Sequence, residues 1–526
     1  MFSLTDEQEQ AVAMARQMRG FKVSALAGTG KTTTLTAIAR ALGQKRGLYL
    51  SFNKMIAIEA QKKFSGTGCE ARTFHSLAFA GFGRKYGSRL NKRLNAGYLR
   101  SRFGILGDYD YAISEVALGT LSRFLRTADP EISTDHVAWN DACKEVLSAR
   151  RALMREYHAC GDDDAAKKSE INQELAANEQ ECKVCYQIRD EAIIVARKVL
   201  EEMRNPNSDV PVTHDLYLRE FVLSNPDLGS AGFRYDYILF DEAQDADSLM
   251  LRLTTSQHLP VFYVGDAYQQ IYEWRGARNA MASLDIPETP LTMSFRFGQA
   301  IADDANAVLR SMDAKFLLRG RPDLRSTVIT DKAVSGARAT IVRTNAEVMA
   351  QALLGLGGGC RVGVSGKAGV RAFLRDYQKL VSGHPSGQFA LFQTENDLRE
   401  HAQSGEGSDL KMLLRLVDDY GMDSLDSVME STVDLDSDKD AWKSCDRIVI
   451  TAHKSKGMEF DTVLLSDGLF NPKRLANDEE KRLLYVAKTR AINVLKQPVD
   501  YSRLDLSEGS ADMTMEQAID KIVGLA

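Results

Sequence analysis

The sequence predicts an α/β fold in which parallel sheets are interrupted by helical insertions. Short apolar runs at 235–240, 261–264 and 447–451 alternate with segments of helical periodicity, which is the pattern of buried parallel strands joined by crossover helices. Two stretches, 108–204 and 344–446, break this alternation. Because 526 residues are too many for one hydrophobic core, we expect about two to four domains.

Composition and charge narrow the class of protein. The chain is 44% hydrophobic and 26% charged, which is typical of a globular protein in water. It has no apolar run long enough to cross a membrane, and its N-terminus is acidic where a secretion signal would be basic. Seven cysteines in so long a chain favour a reducing compartment over a disulfide framework. We therefore expect a cytoplasmic protein of prokaryotic or phage origin, or one in another reducing compartment, with no membrane partner.

A glycine-rich loop follows the first predicted strand, and a helical pattern follows the loop. Residues 23–36 match the phosphate-loop pattern, except that Ala25 stands in place of its first glycine. The backbone N–H groups of such a loop cradle a polyphosphate at the positive end of the helix. We predict that Lys31 reaches the β- and γ-phosphates and that the Thr32 hydroxyl ligates Mg²⁺.

Two acids, Asp241 and Glu242, directly follow the apolar run 235–240. An acid at the carboxyl end of a parallel strand lies where an open α/β sheet binds its ligand. We predict that Asp241 holds Mg²⁺ and that Glu242 accepts a proton from the attacking water. Lys31 and Asp241 are 210 residues apart, which is too far for one nucleotide-binding fold. The helical segment 108–204 is therefore predicted to be an insertion.

Two features near the insertion leave alternatives open. Cys182 and Cys185 are three residues apart in a helical pattern without further ligands at set spacing, so packing is favoured over a metal or redox site. Residues 81–107 carry seven cations and no acid, with tyrosine and phenylalanine interleaved. A solvated basic face and a nucleic-acid site both account for this run.

Three further segments, 265–277, 451–460 and 479–491, combine polar, charged and aromatic residues whose roles physical reasoning alone leaves open. Together with the phosphate loop and the acids, and in this order, they resemble the motifs of the UvrD/Rep-like superfamily-one DNA helicases. The resemblance covers eight motifs between about Leu4 and Leu495. Residues 213–218, 241–245 and 294–298 are similar in particular to the helicase portion of the F-box DNA helicases.

The resemblance implies two RecA-like parallel-sheet cores with helical insertions. The boundaries predicted on this basis are 1–95 and 211–285 for the first core, 96–210 for a helical accessory insertion, 286–350 and 441–500 for the second core, 351–440 for a small second accessory insertion, and 501–526 for a C-terminal tail.

The resemblance also assigns roles in nucleotide binding. Gln8 corresponds to the glutamine that reads adenine, Phe295 to an aromatic that stacks on adenine, and Glu459 to an acid that contacts the ribose. The loop residues expected to bind the phosphates are Ala27, Gly28, Thr29, Gly30, Lys31, Thr32 and Thr33.

Three more residues join Lys31, Asp241 and Glu242 in the catalytic set that the resemblance implies. Gln269 corresponds to the residue that senses the γ-phosphate and couples it to DNA, and Arg296 and Arg490 correspond to arginines that the second core brings to that phosphate. A cation that arrives only on closure stabilises the transition state and links hydrolysis to motion. Lys488 departs from the family pattern, which has a hydrophobic residue there. The positions that match DNA contacts are Phe52, Asn53, His75, Tyr272 and Trp274.

The predicted function is an ATP-dependent DNA helicase or single-strand DNA translocase that uses ATP and Mg²⁺. Its substrates would be single-stranded DNA and tailed duplex DNA, and the family implies 3′→5′ movement. One alternative is a DNA- or nucleotide-sensing ATPase that signals to a partner such as a nuclease, and another is an RNA helicase. A protein that loads the helicase is a further candidate partner. The segment after Arg490 is too short for a nuclease domain, so a fused nuclease is not expected.

Overall fold

The computed structural model describes most of the chain and divides it into two compact units. The first unit comprises Met1–Leu77, Asn225–Arg371 and Ser408–Ala526, and the second comprises Ala78–Ser224 and Ala372–Gly407. Three predicted DNA-contact residues (Asn53, Tyr272 and Trp274) lie outside the described residues. The described residues are 3–52, 54–161, 164–271, 279–330, 339–386, 389, 392, 394–396, 398–399, 408–437, 441–499 and 501.

The described strands all belong to the first unit. In chain order they are β1 (Phe21–Ala25), β2 (Gly47–Ser51), β3 (Cys69–Thr73), β4 (Tyr237–Phe240), β5 (Val261–Gly265), β6 (Glu288–Leu291), β7 (Thr327–Ile329), β8 (Ala339–Val342), β9 (Val362–Val364), β10 (Val433–Asp434), β11 (Arg447–Thr451), β12 (Phe460–Leu465) and β13 (Ala491–Lys496).

The described α-helices range from single turns to one of 40 residues. In chain order they are α1 (Asp6–Arg16), α2 (Lys31–Ala41), α3 (Lys54–Lys63), α4 (Phe74–Ala78), α5 (Ala96–Phe103), α6 (Asp110–Phe124), α7 (Asp141–Ala159), α8 (Ala165–Arg204), α9 (His214–Leu223), α10 (Ser248–Thr255), α11 (Ala280–Ser283), α12 (Gln299–Arg310), α13 (Asn345–Gly357), α14 (Lys367–Val381), α15 (Ser408–Tyr420), α16 (Met422–Ser431), α17 (Pro472–Leu475) and α18 (Asp478–Lys488).

The first sheet has the strand order β3-β2-β4-β5-β1-β6, and its neighbouring strands pair in parallel. β2, β4 and β5 are buried throughout, because apolar strands of a parallel sheet are covered on both faces. β4 and β5 confirm the strands predicted at 235–240 and 261–264. The carboxyl ends of β1, β4 and β5 meet at one edge, where the phosphate loop and the two acids begin.

The second sheet has the order β10-β9-β11-β8-β12-β13-β7, again with parallel neighbours. β11 confirms the strand predicted at 447–451. Its hydrophobic core includes Leu26, Ala27 and Ile271 from the first core, so apolar packing joins the two cores within this unit. Two parallel sheets with helical connections confirm the α/β fold that the sequence predicts, and they agree with the two RecA-like cores that the resemblance implies.

Three strands belong to a core other than the segment in which the predicted domain boundaries place them. β6 pairs with β1 in the first sheet, so the first core extends past the predicted boundary at 285–286. Its run Glu-Thr-Pro-Leu is not apolar, and Pro290 is tolerated because β6 is an edge strand. β9 and β10 lie within the predicted insertion 351–440 but belong to the second sheet. With three and two residues, they are too short to give a period in the sequence.

The described strands lie outside the second unit, which is helical. α8 packs against α6 and α7, and these helices confirm the helical character predicted for 108–204. Cys182 and Cys185 are buried on α8, and the described residues contain no group of His, Cys, Asp or Glu that could hold a metal. Within the described part of the chain, no helix has the apolar length to cross a membrane.

Part of the basic run 81–107 stabilises this unit. Arg89 donates to the carbonyls of Glu202 and Met203 at 2.9 and 3.1 Å, at the end of α8 where the helix dipole favours a cation. Lys85 forms an ion pair of 2.8 Å with Glu220. These contacts support a structural role for two of the seven cations.

Candidate nucleotide-binding and catalytic site

The phosphate loop connects β1 to α2 through two residues with left-handed backbone. Gly28 has φ 74° and Gly30 has φ 79°, a region that glycine occupies without strain. A Cβ at Gly28 would lie 2.5 Å from Ser294 Oγ, so the backbone approaches its neighbours closely. α2 has neither a side-chain cap nor an acid in its first turn. Its unpaired N–H groups therefore favour an anion at this end.

Lys31 begins α2 and faces the acids that follow β4. Its Nζ lies 2.8 Å from Glu242 Oε2, and Gln244 Nε2 donates to the same oxygen at 2.6 Å. Burial lowers the pKa of Lys31, but the carboxylates of Glu242, Asp241 and Asp266 outweigh burial and raise it. Lys31 is therefore a permanent cation at the mouth of the loop.

Glu242 occupies a strained position and remains ionised. Its backbone has φ 53° and ψ 41°, a left-handed conformation that costs a residue with a side chain roughly 1–3 kcal/mol. Burial opposes ionisation of the carboxyl, but Lys31 and Lys456 outweigh burial and lower its pKa to about 2. An ionised carboxylate held at the end of β4 is what a proton acceptor requires.

Asp241 is buried next to Glu242. It accepts a hydrogen bond of 2.7 Å from Tyr49 Oη, and its other oxygen accepts one of 2.9 Å from the Glu242 N–H. Burial and the Glu242 carboxylate raise the pKa of Asp241 to about 6. A divalent cation would favour the ionised form. Mg²⁺ at nucleotide sites uses one or two protein ligands together with phosphates and water, so Asp241 and Thr32 fit this cation.

Gln8, the residue predicted to read adenine, lies in the first turn of α1. Thr5 and Gln8 form a capping box, in which Gln8 Oε1 accepts from the Thr5 N–H at 3.1 Å. Gln8 Nε2 is buried and has no hydrogen-bond partner among the described residues. A Cβ at Gly30 would lie 3.1 Å from Gln8 Nε2 and 3.3 Å from Phe295 Cε2. An orphaned donor beside the partly exposed Phe295 ring fits a purine.

The two arginines of the second core lie close together. Arg490 is buried, with Nη2 3.4 Å from Gln269 Oε1 and Nη1 3.3 Å from the Met458 carbonyl. Burial and Arg296 lower the pKa of Arg490 to about 9, so it is still cationic at neutral pH. Arg296 donates to Glu459 Oε1 at 2.5 Å.

Gln269 connects the two cores. It follows β5, and its Nε2 donates to Asp266 Oδ2 at 2.7 Å while its Oε1 faces Arg490. The structure therefore brings Lys31, Glu242, Gln269 and Arg490 into one site, through contacts that the sequence pattern alone did not define.

Sequence reasoning gave no role to two further residues that join the cores here. Lys456 Nζ donates to Asp245 Oδ2 at 2.5 Å and to the Gln269 carbonyl at 2.7 Å. Tyr485 Oη accepts from the Ala27 N–H at 3.1 Å and donates to Asp266 Oδ2 at 3.1 Å. All these partners lie more than 180 residues away in the chain. In the sequence, the signal for Lys456 and Tyr485 was that they lie in the segments 451–460 and 479–491, which combine polar, charged and aromatic residues.

Lys488, which departs from the family pattern, has a specific partner. Its buried Nζ lies 2.5 Å from Asp304 Oδ2 on α12 and 2.6 Å from Gln497 Oε1. The side chains of Lys488 and Asp304 are 0% and 8% exposed. This buried triad anchors α18, the helix that precedes Arg490, to α12, and the acid compensates for the lysine.

We expect Asp304→Ala to lower the free energy of unfolding by about 3–5 kcal/mol, because it removes the carboxylate that pairs with the buried Lys488 ammonium. The double variant Lys488→Met/Asp304→Leu removes both charges and should recover most of this loss. Urea denaturation of the two variants and the parent protein gives the comparison. An Asp304→Ala protein as stable as the parent would show that the pair contributes nothing.

The predicted DNA-contact residues are only partly described. Phe52 is half-buried and packs against Phe74 and Phe240, with ring centroids 6.1 Å apart in each case. His75 is half-buried at the start of α4. With Asn53, Tyr272 and Trp274 outside the described residues, the DNA-contact set stays a prediction.

Comparison with known proteins agrees with this architecture. Residues 4–286 match the UvrD/REP helicase N-terminal domain, and residues 364–496 match the UvrD-like helicase C-terminal domain. The chain is 28% identical to F-box DNA helicase 1 of Gallus gallus over 550 aligned residues, which cover 93% of this chain and 48% of that protein. It is 27% identical to F-box DNA helicase protein 1 of Schizosaccharomyces pombe over 542 residues, covering 93% and 56%.

A more distant relative is a probable DNA helicase II homolog of Mycoplasma genitalium, 25% identical over 358 residues that cover 62% of this chain and 46% of the relative. The chain spans about half the length of the curated relatives it matches. The N-terminal domain match alone covers more than half of this chain, and the two domain matches fall on the two cores in order. The chain belongs to the UvrD/Rep helicase family.

Proposed function

We propose that this chain is an ATP-dependent DNA helicase or single-strand DNA translocase that moves 3′→5′. The observation that carries the proposal is the cluster in which Gln269 of the first core faces Arg490 of the second at 3.4 Å, next to the Lys31–Glu242 pair. A site built from both cores is sensitive to their closure, as coupling of hydrolysis to movement requires. The substrate class comes from the relatives, which are named DNA helicases.

Each catalytic residue has a separate role in ATP hydrolysis. Lys31 neutralises charge on the β- and γ-phosphates, and the ionised Glu242 takes the proton of the attacking water. Arg490 and Arg296 stabilise the negative charge that develops on the transferred phosphoryl group. Thr32 and Asp241 would hold Mg²⁺, which would supply further charge neutralisation at the phosphates.

The remaining site residues hold the nucleotide and relay its state. Gln8 donates its orphaned amide to the adenine edge, and Phe295 stacks on the ring. Lys456 and Tyr485 connect the second core to Asp245 and Asp266 through hydrogen bonds. Both acids follow strands that end at the phosphate loop, so a change at the γ-phosphate alters the contacts that hold the cores together.

A strand-displacement assay tests the proposal on duplexes with a 3′ tail, a 5′ tail or an RNA strand. We expect ATP-dependent unwinding of the 3′-tailed DNA duplex and little of the 5′-tailed one. A non-hydrolysable ATP analogue in place of ATP should abolish unwinding. Preference for the 5′ tail would reverse the polarity, and preference for RNA would change the substrate class. DNA-stimulated hydrolysis without any unwinding would favour the DNA-sensing ATPase that signals to a partner.

Trp274→Ala tests the path of the DNA strand. If Trp274 is a stacking platform, the variant should keep its melting temperature and its DNA-independent hydrolysis but lose most DNA-stimulated hydrolysis. Loss of one stack costs about 1–3 kcal/mol of binding free energy, whereas truncation of a core tryptophan costs about 3–5 kcal/mol of stability. Trp274→Phe, which can still stack, is the matched control. A melting temperature lowered by many degrees with unchanged single-strand affinity would place Trp274 in the core.

A further inference from the structure

The second unit contains a groove that the nucleotide site does not use. It has a volume of about 900 Å³ and runs along α7. No carboxylate lines it among the residues that the structure describes. The lining is instead rich in cations and aromatic rings, supplied by Trp139, Lys144, Arg150, Arg151, Arg155 and Tyr186.

The cations of the groove follow the geometry of one helix. Positions 144, 151 and 155 share a face of α7 because their spacing is close to whole turns. The Arg151 and Arg155 side chains are exposed, and each donates its Nε to the carbonyl one turn earlier, at 3.1 and 3.3 Å. Neither forms an ion pair with a carboxylate in the described part of the chain. Both guanidinium groups therefore keep donors available for an anion.

Two aromatic rings stand beside these cations. Trp139 and Tyr186 contact each other edge to face, with centroids 6.4 Å apart and planes at 69°. Tyr186 is 40% exposed, and the Arg189 guanidinium lies 4.9 Å from its ring centroid. An exposed aromatic ring at a basic groove offers a flat surface to another ring and a cation to its charged neighbour.

We propose that this groove binds a short segment of single-stranded nucleic acid, as a second site in addition to the strand path of the cores. The proposal rests on the proposed function, which supplies single strands as substrate and product. The cations match a phosphate backbone, and the rings match unpaired bases. A duplex conceals its base faces and would leave the rings unused, and an acidic peptide would use only the cations.

The test measures binding of nucleic acid at this groove separately from binding at the cores. Trp274→Phe and Trp442→Phe leave Trp139 as the only tryptophan of the full chain. An oligothymidylate of about ten nucleotides, within the range of single-strand site sizes, should quench its fluorescence.

Tyr186→Ala should weaken this binding about 5- to 100-fold, and Tyr186→Phe should restore it. Arg151→Gln/Arg155→Gln should reduce the slope of log affinity against log salt by about 1.4, because each single-strand phosphate that is no longer neutralised accounts for about 0.7.

The control is Lys167→Gln/Lys183→Gln, which removes two exposed cations of α8 that pair with Glu156 and Glu179 and do not line the groove. It should leave the quenching curve unchanged. Equal competition by a duplex or by polyglutamate, or unaltered quenching in the arginine variant, would overturn the proposal. DNA-stimulated hydrolysis is measured in parallel on the parent protein, because Trp274→Phe alters a predicted DNA contact. Stimulation without quenching would reject the groove alone, and quenching without stimulation would reject the proposed function while the groove stands.

Discussion

Lys31→Ala is expected to abolish ATP hydrolysis while the protein stays folded. Lys31 is the cation at the mouth of the phosphate loop, where three carboxylates raise its pKa. Its removal would leave the β- and γ-phosphates beside Asp241, Glu242 and Asp266 without the Lys31 cation. The variant should keep most of its packing, because the aliphatic stem ends in an ion pair at the surface of the cleft rather than in the hydrophobic core.

Steady-state hydrolysis with and without single-stranded DNA, together with thermal unfolding of the same preparation, checks this expectation. Glu242→Gln is the matched variant. It keeps the shape of the side chain but cannot accept the proton, so ATP should still bind while turnover falls by about 10²- to 10⁴-fold. Near-normal turnover in a folded Lys31→Ala protein would remove the basis for the phosphate-loop assignment.

The elements that the sequence predicts well are those with a local signal. The loop at 28–31 and the acids at 241–242 each have a short pattern and a strand before them, and the fold places both at one sheet edge. The capping box of Thr5 and Gln8 is equally local, since its partners are three residues apart.

The features that escaped prediction depend on distant residues. The carboxylate that compensates for Lys488 is 184 residues away on α12, and the acid that Lys456 contacts is 211 residues away. β6 escaped because an edge strand can carry Glu, Thr and Pro. In each case the deciding interaction forms only after the chain has folded, so no periodicity or spacing records it.

The contacts between the cores involve residues that lie next to the predicted phosphates. Gln269, Lys456 and Tyr485 attach the second core to the residues that follow β4 and β5, which are also the residues next to the predicted phosphates. We therefore expect closure of the cleft and completion of the catalytic site to occur together. The arginines of the second core are the groups on which this coupling can be tested most directly.

Arg490→Ala is expected to lower ATP turnover by on the order of 10³-fold, the scale of an arginine finger, with nucleotide affinity largely retained. Arg490 faces Gln269 from the second core, so we expect its charge to act on the transition state rather than on the binding of ATP. Arg490→Lys keeps a charge without the planar fork and should recover only part of the rate.

Because Arg490 is buried, thermal unfolding must be measured beside single-turnover hydrolysis and nucleotide affinity. Arg310→Ala, at an exposed position on α12, controls for loss of a surface arginine. Lost affinity with unchanged turnover of bound ATP would assign Arg490 to nucleotide binding instead.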